Sequence, residues 1–134
     1  MSGTYTGHLT AVLGALACQK EIATPGFYER LNGLADRLYG GIREALRVSG
    51  VPGIVQGIGA RFGLYLGVTD PVTNYRGVLR TDRQMEIRFL SGCIARGLYF
   101  HDYGHTMHHG FSTQHSAADI DEALNIIEDT LRRL

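Results

Sequence analysis

Apolar residues crowd the start of the chain without leaving a polar stripe. From Leu9 to Cys18 only Thr10 is polar, so LTAVLGALAC is apolar nearly all round a helix expected from His8 to Ala23. A helix on the surface of a small domain carries a polar face. This one needs cover on several sides. Thr24-Pro25 then reads as a restart, with Thr as N-cap and Pro at the first helical position. Phe27, Leu31, Leu34, Leu38, Ile42 and Leu46 follow at helical spacing, with Glu29, Arg30, Asp36, Arg37 and Arg43 on the wet side. Gly40-Gly41 weaken the middle of this helix by about 1 kcal/mol each relative to Ala, and Ser49-Gly50 ends it.

Beyond Pro52 the period changes. PGIVQGIGARFGLYL predicts a short strand at Ile54-Val55, a bulge or turn at Gly57-Ile58-Gly59, and a second strand from Arg61 to Leu66. GVTDPVTNYRGVLRTD is turn-rich and has no period. A loop of that length inside a compact domain is usually functional or mobile. Thr81-Asp82 cap a further helix with Met85, Phe89 and Cys93 inward and Gly97 at its end. Leu98-Tyr99-Phe100 predicts a strand, His101 to His109 a polar loop, and Gly110 to Thr113 a last short strand. Ser116 with Asp119 three residues on resembles a capping box, and Ile120, Leu124, Ile127 and Leu131 stripe the final helix. The order α-α-β-β-α-β-β-α predicts an α+β fold, with helices on one face of a small, mainly antiparallel sheet.

Composition narrows the classes of function. With 134 residues the chain is one domain, long enough to bury a core but short for a complete cofactor enzyme. Net charge is +0 and 19% of residues are charged, with no basic stripe for nucleic acid and no acidic tail. No stretch approaches the ~18 apolar residues of a membrane span, and no signal peptide opens the chain. Cys18 and Cys93 both fall in apolar helical patterns and read as buried free thiols, which suits a reducing, cytoplasmic setting.

Five constellations are candidates for chemistry. Gly3-Thr4-Tyr5-Thr6-Gly7 runs straight into the first helix, and hydroxyls with free backbone N–H groups ahead of a helix are what a phosphate needs. Ordinary caps and turns use the same residues. His101, His105, His108 and His109, with Asp102 beside them and His115 downstream, offer imidazoles and a carboxylate for a transition metal. No HExxH signature accompanies them, so hydrogen-bonded loop chemistry competes with a metal site. Cys93 and His115 lack a third orienting group for a triad, and the glycines of GIVQGIGARFG suit bulges and close packing better than a nucleotide. Glu128 and Asp129 diverge around their helix, while Glu21, Glu29 and Asp36 belong to exposed faces.

Read together, GTYTGHLTAVLGAL, PGFYERLNGLADRL, IGARFGLYL, DPVTNY, IARGLYF and FSTQHSAADIDEAL resemble the C-terminal portion of class III pyridoxal-phosphate (PLP) aminotransferases. The similarity is greatest to the glutamate-1-semialdehyde aminomutase group, and the phrases keep that family's order from Gly3 nearly to Leu134. The resemblance implies the C-terminal small domain of a fold-type-I homodimer acting on an amino-acid or amino-aldehyde substrate. It implies that residues 1–23 belong with the large domain or dimer core, and that residues 24–134 form the small domain. It further implies that Gly3 and Thr4 bind the cofactor phosphate in the partner's active site.

Departures accompany the likeness. The family's Schiff-base lysine and the aspartate on the pyridine nitrogen lie upstream of the matched stretch. Lys20, the sole lysine, sits on a helix between Gln19 and Glu21, so PLP is expected in the full-length parent and no catalysis from this chain alone. The family's acidic segment before the last strand is here YGHTMHHG, which puts the amino acceptor in question. Two other readings stand beside this one: a non-enzymatic His-rich module binding a metal or partner, and a dimerisation domain built on the Leu9–Cys18 helix.

Overall fold

The computed structural model describes residues 3–102, 104 and 108–134. The elements run α1 (Leu9–Ile22), α2 (Phe27–Ser49), β1 (Gly53–Ile58), β2 (Arg61–Leu66), α3 (Tyr75–Val78), α4 (Arg83–Ile94), β3 (His109–Gly110) and α5 (Ala117–Leu131). The three strands form an antiparallel sheet in the order β1-β2-β3. The α+β architecture expected for a transaminase small domain is the one observed.

Side-chain alternation along the strands decides which face is buried. Val55 of β1 and Phe62, Leu64 and Leu66 of β2 share one face and are buried. Against that face α2 packs on β1 and α4 on β2, while α5 lies across both helices. Ile42 and Ile127, each 0% exposed, meet in the core these helices make. Burying each side chain is worth roughly 1.5–3 kcal/mol. The α2 stripe is only half-buried at Phe27, Leu31 and Leu34, and becomes fully buried from Leu38 on. Gly41 of α2 lies directly beneath Leu124 of α5, so one of the two glycines that weaken α2 lets the helices approach.

Several boundaries differ from expectation. Thr24 does not cap α2; Gly26, at φ 81°, occupies the N-cap position and Phe27 begins the helix. The Thr24 hydroxyl instead donates to the Lys20 carbonyl at 3.2 Å, closing α1. Pro25 therefore lies between the helices rather than at a helix start. The first strand continues through Ile58, and the predicted bulge is a two-residue turn at Gly59-Ala60 with Ile58 paired to Arg61. Gly59 has φ +50°, which suits the first central position of a tight hairpin. The 67–82 loop contains α3, capped by the Asn74 side chain accepting from the Gly77 N–H at 3.0 Å. Leu98–Phe100 has no strand ladder, and β3 is His109–Gly110 rather than Gly110–Thr113. At α4 the cap is Asp82, which accepts from the Met85 N–H at 2.9 Å. At α5 the capping box is complete: Ser116 Oγ accepts from the Asp119 N–H, and the Asp119 carboxylate accepts from the Ser116 N–H at 2.7 Å.

The cysteines separate. Cys93 is 0% exposed, and burial pushes its thiol up to about 11, so it stays protonated. Cys18 is exposed, because the whole of α1 is: every residue from Leu9 to Glu21 is exposed and Ile22 is half-buried. Among the described residues, no helix is long and apolar enough to cross a membrane.

Candidate functional site

Two places hold the chemistry-bearing residues. At the N-terminus, Gly3 to Gly7 form consecutive turns, with the Thr6 N–H donating to the Gly3 carbonyl at 2.9 Å and the His8 N–H to the Tyr5 carbonyl at 3.1 Å. Gly7, at φ 77°, redirects the chain into α1. The Thr4 hydroxyl is exposed, and among the described residues no hydrogen bond engages the Thr4 or Tyr5 N–H. This segment presents a hydroxyl and unbonded amides together, the donor set a phosphate accepts from.

The second place is the loop after Phe100. Arg83, near the start of α4, reaches both Asp102 carboxylate oxygens through Nη2 at 2.6 Å. Its Nη1 donates to the Gly104 carbonyl at 3.0 Å. The Gly104 N–H donates back to Asp102 Oδ1 at 2.9 Å, so guanidinium, carboxylate and turn are mutually fixed. The Arg83 hydrogen bond is the main cause holding the Asp102 carboxyl below its usual range, and the Gly104 N–H adds to it. One turn along α4, Glu86 is 1% exposed, with its carboxylate 3.7 Å from Arg83 Nη1.

Below this loop lies His109. It is 7% exposed, its ring centroid 4.7 Å from Phe100 and 5.6 Å from Phe62. Burial, with smaller contributions from His108 and His101, pushes its pKa down to about 4, so the imidazole is neutral near pH 7. Glu86 and His109 line the same small apolar gap with Leu64, Leu66, Phe89, Leu90 and Phe100. A second cavity of about 250 Å³, lined in part by Phe62 and Phe100, opens between α2, β3 and α5. Leu38, Phe111, Ile120 and Ile126 give it apolar walls, and His115, Asp119 and Glu122 stand at it. The Ser112 N–H donates to His115 Nδ1 at 3.2 Å, which ties the ring to the turn before α5.

The histidines that adjoin in sequence are thus divided. His109 is a core residue; His101 and His108 are exposed; His115 belongs to the turn before α5. The Tyr99 hydroxyl lies 2.7 Å from His101 Nδ1. His105 lies outside the described residues. Among the described residues, no group of three or more His, Cys, Asp or Glu gathers to hold a metal ion. The sequence reading passed over Glu86. Its spacing to Leu90 and Cys93, four and seven residues on, is the one signal that would have put it on the buried face.

No protein-family model matches the chain. Solved structures do. An omega-transaminase from Sphaerobacter thermophilus aligns with 98% of this chain at 25% identity and a TM-score of 0.75. A transaminase with PLP bound aligns with 84% of it at 20% identity and a TM-score of 0.64. The FumI protein of Sphingopyxis sp. MTA144, in its PLP internal aldimine form, aligns with 85% at 14% identity and a TM-score of 0.66. These alignments take up 30%, 24% and 24% of the three longer chains. The chain has a transaminase-like fold and spans less than a third of the length of the transaminases it matches.

Proposed function

We propose that this chain is the C-terminal portion of a PLP-dependent class III aminotransferase or aminomutase, similar to glutamate-1-semialdehyde aminomutase. The observation that carries the reading is the alignment of 98% of the chain with part of an omega-transaminase. The ordered motifs from Gly3 to the Ser116 helix start support it independently. In the whole enzyme, PLP supplies the electron sink for amino-group transfer. Gly3 and Thr4 bind its phosphate across a homodimer, through the exposed hydroxyl and the unbonded amides of this turn. Residues 1–23 pack with the large domain or dimer core, and residues 24–134 form the small-domain wall of the active site. The Arg83–Asp102 clamp fixes Gly104 at that wall, in the segment where the sequence has histidines in place of the family's carboxylate. The amino-acid or amino-aldehyde substrate is therefore selected without an acidic contact from this segment.

The isolated chain is inactive on this reading. Lys20 is exposed on α1 beside the sequence neighbours Gln19 and Glu21, away from any enclosed site that would present it to a cofactor carbonyl. Titration with PLP should give no saturable internal-aldimine absorbance band at micromolar cofactor; a stoichiometric band would overturn the assignment. With the catalytic portion joined, Thr4→Ala should weaken cofactor retention about tenfold or more, the loss expected for a hydrogen bond to a charged group. Unchanged affinity would remove the phosphate role. The exposed apolar helix α1 also supports a second reading, a dimerisation domain, which a well-behaved monomer in sedimentation would contradict.

A further inference from the structure

The free edge of the sheet points to a docking site: we infer that β1 accepts an extended acidic peptide segment as a fourth strand, laid between α2 and the loop at Thr69. This goes beyond the transaminase reading and does not depend on it. The ladder itself shows which groups are available. The Gly67 N–H donates to the Pro52 carbonyl at 2.8 Å, so Pro52 and Gly67 are a bonded pair. In an antiparallel ladder bonded and non-bonded pairs alternate. Ile54, Gln56 and Ile58 therefore bond to β2, while Gly53, Val55 and Gly57 turn their N–H and C=O groups away from it. The opposite edge of β2 keeps the same alternation, since the Leu66 carbonyl accepts from the Asp82 N–H at 2.8 Å.

No hydrogen bond among the described residues reaches the outward groups of Val55. Val55 has its side chain in the core and also lines the groove beside this edge, where its outward peptide groups can meet water or an added strand. A free edge is also what natural proteins cover, charge or shorten. Here no charge lies on the strand, whose sequence is GIVQGI.

The space beside the edge fits an extended chain. A groove of about 440 Å³ lies beside its Pro52–Val55 end, lined there by Arg43, Leu46 and Arg47 of α2, by Val51 and by Thr69. Arg47 is held by Glu44, with Nε donating to Oε2 at 2.8 Å. Arg43 makes no ion pair among the described residues. A strand laid here pairs with Gly53, Val55 and Gly57 through its backbone. It turns apolar side chains toward Leu46 and Val51 and one carboxylate toward Arg43. A second copy of the chain, paired edge to edge, would instead bring two Arg43-bearing grooves together, and like charge opposes it. Backbone pairing gives the affinity, and alternate side chains give the selectivity, as in other strand-addition sites.

The test uses the 134-residue chain and an acetylated, amidated heptapeptide, Thr-Val-Thr-Glu-Thr-Val-Thr, beside a version with lysine in place of glutamate. Amide NMR and hydrogen exchange follow the titration. The glutamate peptide should shift the Gly53, Val55 and Gly57 amides and slow Val55 exchange at least tenfold at saturation. It should bind about three- to fivefold tighter than the lysine version, the scale of an exposed ion pair. Arg43→Glu, on the exposed side of α2, should reverse that order with the fold intact. Absence of shifts at millimolar peptide would overturn the proposal. So would equal affinity of both peptides for the wild type. Protection of the Val55 amide without peptide, alongside a concentration-dependent dimer in sedimentation, would assign the edge to a second copy and also overturn it.

Discussion

Helices α1 and α2 adjoin in sequence and obey opposite rules. Both are rich in apolar residues, but α2 gathers them on one side and buries Leu38, Ile42 and Leu46 against the sheet and α5. In α1 they go all round, and none is buried: Leu9 is 71% exposed, Leu13 56% and Leu16 55%. A patch that large on one element is what interaction surfaces look like. The difference teaches that burial in this chain follows the direction of hydrophobicity rather than its amount. An amphipathic helix can complete a core within 134 residues; an all-round apolar one cannot, and waits for a surface the chain does not supply.

Substitutions on the two sides of that contrast should separate widely. Ile127→Ala, in the α2–α5 core, should destabilise the fold by about 2–5 kcal/mol in urea unfolding, the range for large-to-small core changes. A loss below 1 kcal/mol would mean the packed body is not the stable unit. Next in size is a pH effect confined to the body. The His109 pKa lies at about 4 in the fold, against an ordinary 6.5. The unfolded chain thus takes up the proton first. Stability contributed by the neutral ring is whole above about pH 6.5 and falls as pH drops toward 4, by roughly 3 kcal/mol at the end of that window. Urea midpoints from pH 7 to pH 4 should slope downward in the wild type and flatten in His109→Gln. An unchanged slope in the variant would place the titration elsewhere. Asp102, Asp119, Asp121 and Asp129, all held below their usual range by hydrogen bonds, act in a separate, more acid window.

Smaller effects sharpen the boundary between the regions. Ser116→Ala removes half of the α5 capping box and should cost about 1 kcal/mol. Leu13→Gln on α1 should change stability by less than about 0.5 kcal/mol, because its side chain leaves no core contact behind. A cost comparable to Ile127→Ala would show α1 to be part of the packed body after all.

Much of the fold was legible because its signals are local. Period and caps placed α2, α4 and α5 to within a residue or two, and alternation placed Arg61–Leu66. The misses have a common physical origin. Thr24-Pro25 has the composition of a helix start, but its hydroxyl serves the end of the preceding helix. Leu98–Phe100 is apolar as a strand would be, yet Phe100 is buried by stacking on Phe89 and packing at a tilt against His109 rather than by a ladder. Clustered histidines look like one site until tertiary packing sends His109 inward and leaves His101 and His108 outside. The candidate site was legible only in parts: Gly3 and Thr4 could be named from a motif, whereas the Arg83–Asp102 clamp joins residues 19 positions apart. No spacing rule connects those two.

Native-state hydrogen exchange on the 134-residue chain tests the central contrast most directly. The account predicts that the amides of Leu13 to Ala17 exchange at least 100-fold faster than those of Leu38 to Ile42, since an uncovered helix of this length is marginal in water. Equal protection of the two segments in a monomer would contradict it.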